Sequence, residues 1–347
     1  MGVSSLSAPF PWFGGKRKVA AEVWSRFGVV KNYVEPFFGS GAVMLGRPAP
    51  IAGSETINDL DGYVANFWRS VKLSPDALAE YADNPVNEND LHARHVWLLQ
   101  RRETLRSRLE GDPEWHDPQI AGWWVWGIAC WIGGGFCSGK GPWWVNESGQ
   151  LVHLGDSGRG VNRQRVHLGN SGQGVNRQLT RLGPWFNALA ARLRNVRVCS
   201  GDWSRVCGPS VTFKHGLTAV FLDPPYADTA ERCSDLYRED SEDVAHAVRD
   251  WAVANGDNPL LRIALCGYEG EHEMPASWAV HSWSAGEGFG ARAAVRSGNG
   301  ERERIWFSPS CRTTRQASLF DAIIEQPEIE TENAGSGSVS GALRGDV

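Results

Sequence analysis

The sequence has no long hydrophobic run. No stretch of about eighteen consecutive apolar residues, the length that a membrane-spanning helix needs, occurs in the 347-residue chain. Its first residues, MGVSSLSAPF, have neither a basic start nor an apolar centre, so no signal peptide is expected. These absences predict a cytoplasmic protein without a membrane-spanning segment.

The chain also has few cysteines, and they are scattered. There are seven, an odd number, and no two have CxxC spacing. Disulfide frameworks and zinc sites use paired, closely spaced cysteines. We therefore expect free thiols and no structural metal.

The net negative charge is confined to the end of the chain. The formal charge is -5, and the residues from Asp321 onward, with six acids and one base, account for all of it. Residues 151–183, in contrast, hold five arginines and one acid, Asp156. A local excess of arginine suits a surface that follows phosphates. A solvated basic loop remains the alternative.

Apolar runs alternate with helical patterns along much of the chain. Strands are predicted at NYVEPF (32–37), SETIND (54–59), NVRVCS (195–200), TAVFLD (218–223), LRIALCG (261–267), WAVHSWS (278–284) and RIWFSP (304–309). Helices are predicted after the first two strands and at 241–255. This alternation is typical of an open α/β sheet, with the two late strands at its antiparallel end.

The middle of the chain departs from this alternation. Residues 75–130 have a helical pattern and include a crowded group of tryptophans. A tandem repeat follows, in which VHLGDSGRGVNRQR (152–165) is succeeded by VHLGNSGQGVNRQL (166–179). Its Asn, Arg and Gln side chains suit phosphates or base edges, so we interpret it as two similar polar loops or a hairpin pair. A duplicated surface loop without a partner is the alternative.

A glycine turn follows the first predicted strand, in the segment EPFFGSG. Gly39 and Gly41 allow the backbone to approach a ligand closely, although the pattern is not the GxGxxG of dinucleotide sites. Asp59 ends the second strand, where a carboxylate can accept both hydroxyls of a ribose. Together these residues favour a nucleoside-containing cofactor without phosphates.

The tetrapeptide DPPY, residues 223–226, follows the apolar run AVFL. Its two prolines fix φ and remove two N–H donors, which leaves carbonyl groups free to accept hydrogen bonds. The Asp223 carboxylate and the Pro224 carbonyl can together accept the two hydrogens of an exocyclic amino group. Tyr226 offers a ring on which a base can stack, a contact worth roughly 1 to 3 kcal/mol.

Four segments in this order and spacing resemble the N6-adenine DNA methyltransferases of the DNA adenine methylase type, many of them from phages. The segments are PWFGGK (11–16), EPFFGSGAV (35–43), INDLDGYVANFW (57–68) and DPPY. The resemblance covers the first 70 residues and roughly residues 195–310. It implies an α/β fold with a Rossmann-like S-adenosylmethionine-dependent methyltransferase sheet and an inserted, largely helical target-recognition domain. It also implies double-stranded DNA as substrate, a bacterial host cell and a link to restriction-modification.

The resemblance assigns roles to individual positions. For the cofactor it implies contacts from Trp12, Lys16, Glu35, Phe38, Gly39, Gly41, Asp59 and Asp202. For the target adenine it implies Asp223, Pro224, Pro225 and Tyr226, and for the DNA we expect Arg159, Arg163 and Arg177 of the repeat. Asp59 would hold the ribose, and Asp202 the amino group of the cofactor's adenine. No covalent intermediate with the enzyme is needed.

These expectations divide the chain into four parts. Residues 1–74 and 191–310 are expected to form the catalytic domain, 75–190 the inserted recognition region and 311–347 a flexible acidic tail. In the tail, QASLF, from Gln316 to Phe320, resembles the pentapeptides that tether DNA enzymes to bacterial sliding clamps. We expect the protein to act as a monomer.

Two other functions remain open. An N4-cytosine DNA methyltransferase would use a related tetrapeptide, but that tetrapeptide usually begins with Ser, so Asp223 favours adenine. A catalytically silent DNA-binding relative would not need the cofactor residues. The intact set of Lys16, Gly39, Asp59 and Asp223 argues against it.

The repeat can be tested on its arginines. Replacing Arg163 and Arg177 together by Ala should weaken DNA binding and flatten its dependence on salt, by about one unit of slope for each phosphate that is no longer neutralised. Binding measured from low to high salt checks this. An unchanged slope would remove the repeat from the DNA interface.

Overall fold

The computed structural model of the protein describes residues 6–10, 16–51, 53–131, 136–137, 143–145, 151–153, 179–225, 242–283 and 302–313. Its centre is a seven-stranded sheet. The strands of this sheet are β1 (Asn32–Glu35), β2 (Ser54–Asp59), β5 (Val196–Ser200), β6 (Thr218–Leu222), β7 (Leu261–Tyr268), β8 (Ala279–Ser282) and β9 (Glu303–Phe307). A separate antiparallel pair consists of β3 (Trp143–Val145) and β4 (Leu151–His153).

The strand order is β5-β2-β1-β6-β7-β9-β8. The first five strands in this order are parallel, and β9 is antiparallel to both of its neighbours. The chain moves outward from β1 through β2 to β5 and then returns to β6 on the other side of β1. Such a reversal opens a crevice beyond the carboxyl ends of the strands, where open α/β sheets bind their ligands.

The central strands are buried on both faces. All four residues of β1 and all five of β6 are buried, and the sequence of β6 is accordingly almost continuously apolar rather than alternating. Each predicted strand is present within two residues of its predicted bounds. The predicted mixed α/β fold is therefore confirmed, and its seven-stranded sheet is consistent with a methyltransferase-like fold.

Eight helices lie in the described residues. They are α1 (Ala20–Phe27), α2 (Ala42–Leu45), α3 (Gly62–Leu73), α4 (Pro75–Ala82), α5 (Glu88–Gly111), α6 (Pro118–Cys130), α7 (Leu179–Leu193) and α8 (Glu242–Asn255). Asp61, Asn87 and Asp117 cap α3, α5 and α6 by accepting hydrogen bonds from backbone N–H groups of the first turn. The helical pattern predicted for residues 75–130 is confirmed.

The helices of the middle region share a core with the sheet. Helices α4, α6 and α7 pack together and against α3, which lies on the strands. Buried side chains of α6, such as Trp124 and Trp126, belong to the same hydrophobic cluster as Tyr33 and Ile57 of the strands. The tryptophan-rich helix is therefore joined to the sheet through α3.

Helix α7 was not predicted from the sequence. Its interior contains Pro184, which usually ends a helix. The signal that could have found it is the spacing of its buried side chains, Leu182, Phe186, Leu189 and Leu193.

Several features of other protein classes do not occur in the described ranges. No described helix combines the length and apolar character needed to cross a bilayer. No disulfide joins the cysteines that lie in these ranges. The same residues contain no group of three or more side chains suited to hold a metal ion.

The contact between α4 and α6 can be tested at Gly122. A Cβ atom at this position would lie 2.3 Å from Cβ of Tyr81 and 2.8 Å from its backbone carbon. Gly122→Ala should therefore destabilise the protein by about 1 to 3 kcal/mol, seen as a lower midpoint of thermal unfolding. Gly111→Ala at the end of α5 is the control, because nothing lies within 4 Å of its added Cβ and alanine favours helix by up to about 1 kcal/mol. Equal midpoints for the two variants would contradict this packing.

Candidate active site

The glycine turn after β1 is held in place by residues of β2 and α3. The Phe38 N–H donates to the Asn58 carbonyl at 3.0 Å, and the Gly39 N–H donates to Oδ2 of Asp59 at 2.8 Å. Trp68 Nε1 donates to the Gly39 carbonyl at 2.8 Å. Gly39 and Gly41 have φ values of +49° and +72°, which other residues rarely adopt. The turn is therefore a rigid backbone loop beyond the carboxyl end of β1.

Phe38 supports this turn from within the protein. Its ring is buried and packs edge-on against Trp68, with 4.9 Å between the ring centroids. A Cβ atom on Gly41 would lie 2.5 Å from the same ring. Phe38 is thus placed to shape the turn, whereas its contact with a cofactor remains a prediction.

Asp59 accepts two backbone hydrogen bonds. Besides the bond from Gly39, its Oδ1 accepts the Asp61 N–H at 2.9 Å. Each carboxylate oxygen has a second lone-pair site, so two further donors, such as two hydroxyls, can be bound. Burial, together with the charge of Asp61, raises the pKa of Asp59 to about 7, although N–H donors including that of Gly39 oppose the rise.

Asn58 on β2 joins the loops that follow β1 and β5. It is buried on β2, and its Nδ2 donates to the carbonyls of Pro36 at 3.1 Å and Gly201 at 2.9 Å. Its Oδ1, also buried, accepts no hydrogen bond from the described residues. Asn58 was not predicted from the sequence, although it is the residue directly before Asp59. Its amide sets the spacing between the glycine turn and the loop after β5.

Asp202 lies in that second loop and is exposed. Its Oδ1 accepts the Ser204 N–H at 2.9 Å, which caps a short 3-10 helix (Trp203–Val206). Beside it, the rings of Phe37 and Trp203 stack with their centroids 6.3 Å apart and their planes at 28°. Both rings are partly buried. This pair was not predicted from the sequence, although Phe37 directly precedes Phe38 and Trp203 directly follows Asp202, and both of those neighbours were predicted.

Glu35 ends β1 and is buried. The Tyr33 hydroxyl donates to its Oε2 at 2.7 Å. Burial raises the pKa of Glu35 well above its usual range, and the nearby charge of Asp223 adds to the rise, while the bond from Tyr33 opposes it. Burial therefore disfavours the ionised form of Glu35.

Lys16 reaches the carboxylate of the DPPY tetrapeptide. Its Nζ lies 3.0 Å from Oδ1 of Asp223 and 3.6 Å from Oε2 of Glu303. The Trp283 ring lies on another side, with its centroid 5.5 Å from Nζ. Burial alone would lower the pKa of Lys16, but the charges of Asp223 and Glu303 outweigh it and the pKa is raised. Lys16 is therefore an ammonium with two carboxylate neighbours.

The described residues contain part of the predicted site. Asp223, Pro224 and Pro225 follow β6, and Asp223 has 20% of its side chain exposed. The predicted residues that lie outside the described ranges are Trp12, Arg159, Arg163, Arg177, Tyr226 and the segment from Gln316 to Phe320. Glu303 was not predicted, because it is distant in sequence and belongs to no recognised motif.

The donors and acceptors at this edge fit a nucleoside with a positively charged substituent. Asp59 and Asp202 are acceptors suited to hydroxyl and amino groups, and Phe37 and Trp203 offer aromatic surface beside them. The buried Asn58 Oδ1 provides a further acceptor. Asp223, which shares Lys16 with Glu303, supplies a carboxylate that can balance a cation.

The pKa of Asp59 can be measured directly. In the protein without ligand, its carboxyl carbon should titrate near 7 rather than 3.8, as followed by carbon NMR with Asp59→Asn to assign the signal. The folded state then binds this proton more tightly than the unfolded state, so wild-type stability should fall relative to Asp59→Asn as the pH rises from 3.8 to about 7. A stability difference that does not change over this window would contradict the assignment.

Comparison with known proteins identifies one family. Residues 12–111 match the model of the D12 class N6 adenine-specific DNA methyltransferases. This range includes Lys16, the glycine turn and Asp59. No curated protein matches the chain. Residues 12–111 are therefore similar to the D12 class N6 adenine-specific DNA methyltransferases, and this match supports an adenine-specific DNA methyltransferase as the class of enzyme.

Proposed function

We propose that the protein transfers a methyl group from S-adenosylmethionine to N6 of adenine in double-stranded DNA, by direct transfer to a base turned out of the duplex. The observation that carries this proposal is the position of Asp223 and the glycine turn. They follow β6 and β1, which are neighbours in the sheet and run parallel. Their carboxyl ends flank the reversal of strand order, so a donor and an acceptor of the methyl group can meet there.

The cofactor is proposed to lie along the ends of β1, β2 and β5. Asp59 would accept the ribose hydroxyls, and Asp202 would accept the adenine amino group. The adenine ring would contact Phe37 and Trp203. When bound, S-adenosylmethionine supplies a methyl group made electrophilic by a cationic sulfur, which becomes a neutral thioether on transfer.

Asp223 acts on the other reactant. The N6 nitrogen of adenine is a poor nucleophile because its lone pair is delocalised into the ring. The Asp223 carboxylate and the Pro224 carbonyl would accept its two hydrogens and favour a tetrahedral nitrogen. The nitrogen lone pair forms the new N–C bond, and one proton then leaves N6 for the Asp223 carboxylate or water. Positioning of the two reactants supplies most of the rate.

The target adenine has to leave the base stack to reach this edge. Extrusion costs a few kcal/mol, and stacking on Tyr226 would offset roughly 1 to 3 kcal/mol of it. The same proposal assigns target recognition to residues 75–190 and phosphate contacts to Arg159, Arg163 and Arg177. Clamp binding by residues 316–320 also remains a proposal.

Separate variants distinguish transfer from cofactor binding. Asp223→Ala should lower the methyl-transfer rate at least about 1,000-fold because the acceptor of the N6 hydrogens is removed, while the cofactor dissociation constant changes by less than about threefold. Asp59→Asn is the matched variant, and it should weaken cofactor binding. Transfer assays and calorimetry measure the two effects. Full activity of Asp223→Ala would show that the role assigned to Asp223 is wrong.

The identity of the product tests the choice of base. Nucleosides from DNA incubated with the protein and cofactor should contain N6-methyladenine by mass spectrometry. N4-methylcytosine in its place would establish the alternative reaction. Cofactor binding without any methylated nucleoside, on DNA of diverse sequence, would favour a silent DNA-binding protein.

A further inference from the structure

Glu303 is a buried carboxyl group beside the proposed reaction centre. Its side chain is 5% exposed, and its Oε2 lies 3.6 Å from Nζ of Lys16, on which Asp223 also converges. The three side chains Lys16, Asp223 and Glu303, here called the charge triad, include two acids and one base. Lys16 is therefore shared between two carboxylates.

The topology of the sheet places Glu303 at the carboxyl ends of the parallel strands. Glu303 is the first residue of β9 and pairs with Tyr268, the last residue of β7. Because β9 is antiparallel to β7, its first residue lies where the parallel strands end. The backbone carbonyl of Glu303 also accepts a hydrogen bond from the backbone N–H of Trp283 at 3.2 Å, and the Trp283 ring contacts Lys16. Glu303 thus belongs to the wall around the Lys16 ammonium.

The charges of the triad bear on the proposed reaction. Methyl transfer moves a positive charge from sulfur to N6, next to Asp223, until a proton leaves. A negative charge at this position stabilises the transition state, and a buried group does so with little screening by water. Lys16 opposes this effect because its ammonium is 3.0 Å from the Asp223 carboxylate. A second carboxylate beside Lys16 offsets that opposition.

We propose that Glu303 is a positioning residue for methyl transfer, which holds Lys16 beside Asp223 and offsets its charge so that the Asp223 carboxylate remains an effective acceptor for the N6 hydrogens. This proposal rests on the proposed function of Asp223. It assigns Glu303 no contact with the DNA or the cofactor. Loss of its charge therefore lowers the rate of transfer but not the affinity for either ligand.

The test compares Glu303→Gln with a buried glutamate elsewhere in the same sheet. Glu55 on β2 is buried and pairs with Arg47 at 2.9 Å and with Arg192 at 2.8 Å. It lies at the opposite end of its strand from Asp59. Glu55→Gln removes the same charge from a similar environment, so it reports on the structural cost alone.

The readouts are single-turnover methyl transfer, binding of cofactor and DNA, and the midpoint of thermal unfolding. For Glu303→Gln we expect the transfer rate to fall about 10- to 100-fold, with both dissociation constants within about threefold of wild type. Glu55→Gln should lower the midpoint but keep the transfer rate. Glu303→Asp retains the charge but carries it on a shorter side chain, farther from Lys16, so its rate should fall only severalfold, less than that of Glu303→Gln.

The outcomes separate this proposal from the proposed function. A wild-type transfer rate in folded Glu303→Gln would overturn the role of Glu303 while leaving that of Asp223 intact, provided that Asp223→Ala is inactive. Equal rate losses in Glu303→Gln and Glu55→Gln would show that Glu303 is only structural. If Glu303→Gln does not fold, Glu303→Asp decides. A severalfold lower rate at an unchanged midpoint supports the proposal, and a wild-type rate overturns it.

Discussion

A buried lysine ammonium needs neutralising partners close by, and this requirement organises the proposed catalytic site at the carboxyl ends of the parallel strands. Lys16 is 5% exposed, and its Nζ has carboxylate oxygens of Asp223 and Glu303 within 4 Å. Removing a charge from water costs several kcal/mol unless partners compensate for it. The segment around Lys16, the end of β6 and the start of β9 are therefore coupled, because each supplies one member of the charge triad.

The order of the strands explains why these distant segments meet. Parallel strands present their carboxyl ends at one edge, and the reversal between β1 and β6 leaves that edge open. Residues from the ends of β1, β2, β5 and β6 line it, and the antiparallel β9 contributes its first residue. Asn58 and Trp68 then fix the glycine turn by hydrogen bonds to the carbonyls of Pro36 and Gly39.

The sequence predicted those parts of the fold and site that depend on local signals. Strands such as β6 and β7 were predictable because buried parallel strands are nearly continuous apolar runs, and Asp59 and Asp223 because each lies at the carboxyl end of a predicted strand. Glu303 and the Phe37–Trp203 pair were not predictable, because their roles come from tertiary contacts between segments that are far apart in sequence. Helix α7 was missed for a local reason, since Pro184 masks its apolar spacing.

The family match and the charge triad cover different parts of the chain. Residues 12–111 include Lys16 and Asp59, whereas Asp223 and Glu303 lie more than 100 residues beyond the match. The matched region therefore supplies the ammonium and the Asp59 carboxylate but neither of the carboxylates that neutralise Lys16. A buried lysine without these carboxylates would be disfavoured by desolvation. The burial of Lys16 thus requires β6 and β9 to be in place, which ties the geometry of the matched region to the folding of the remainder of the sheet.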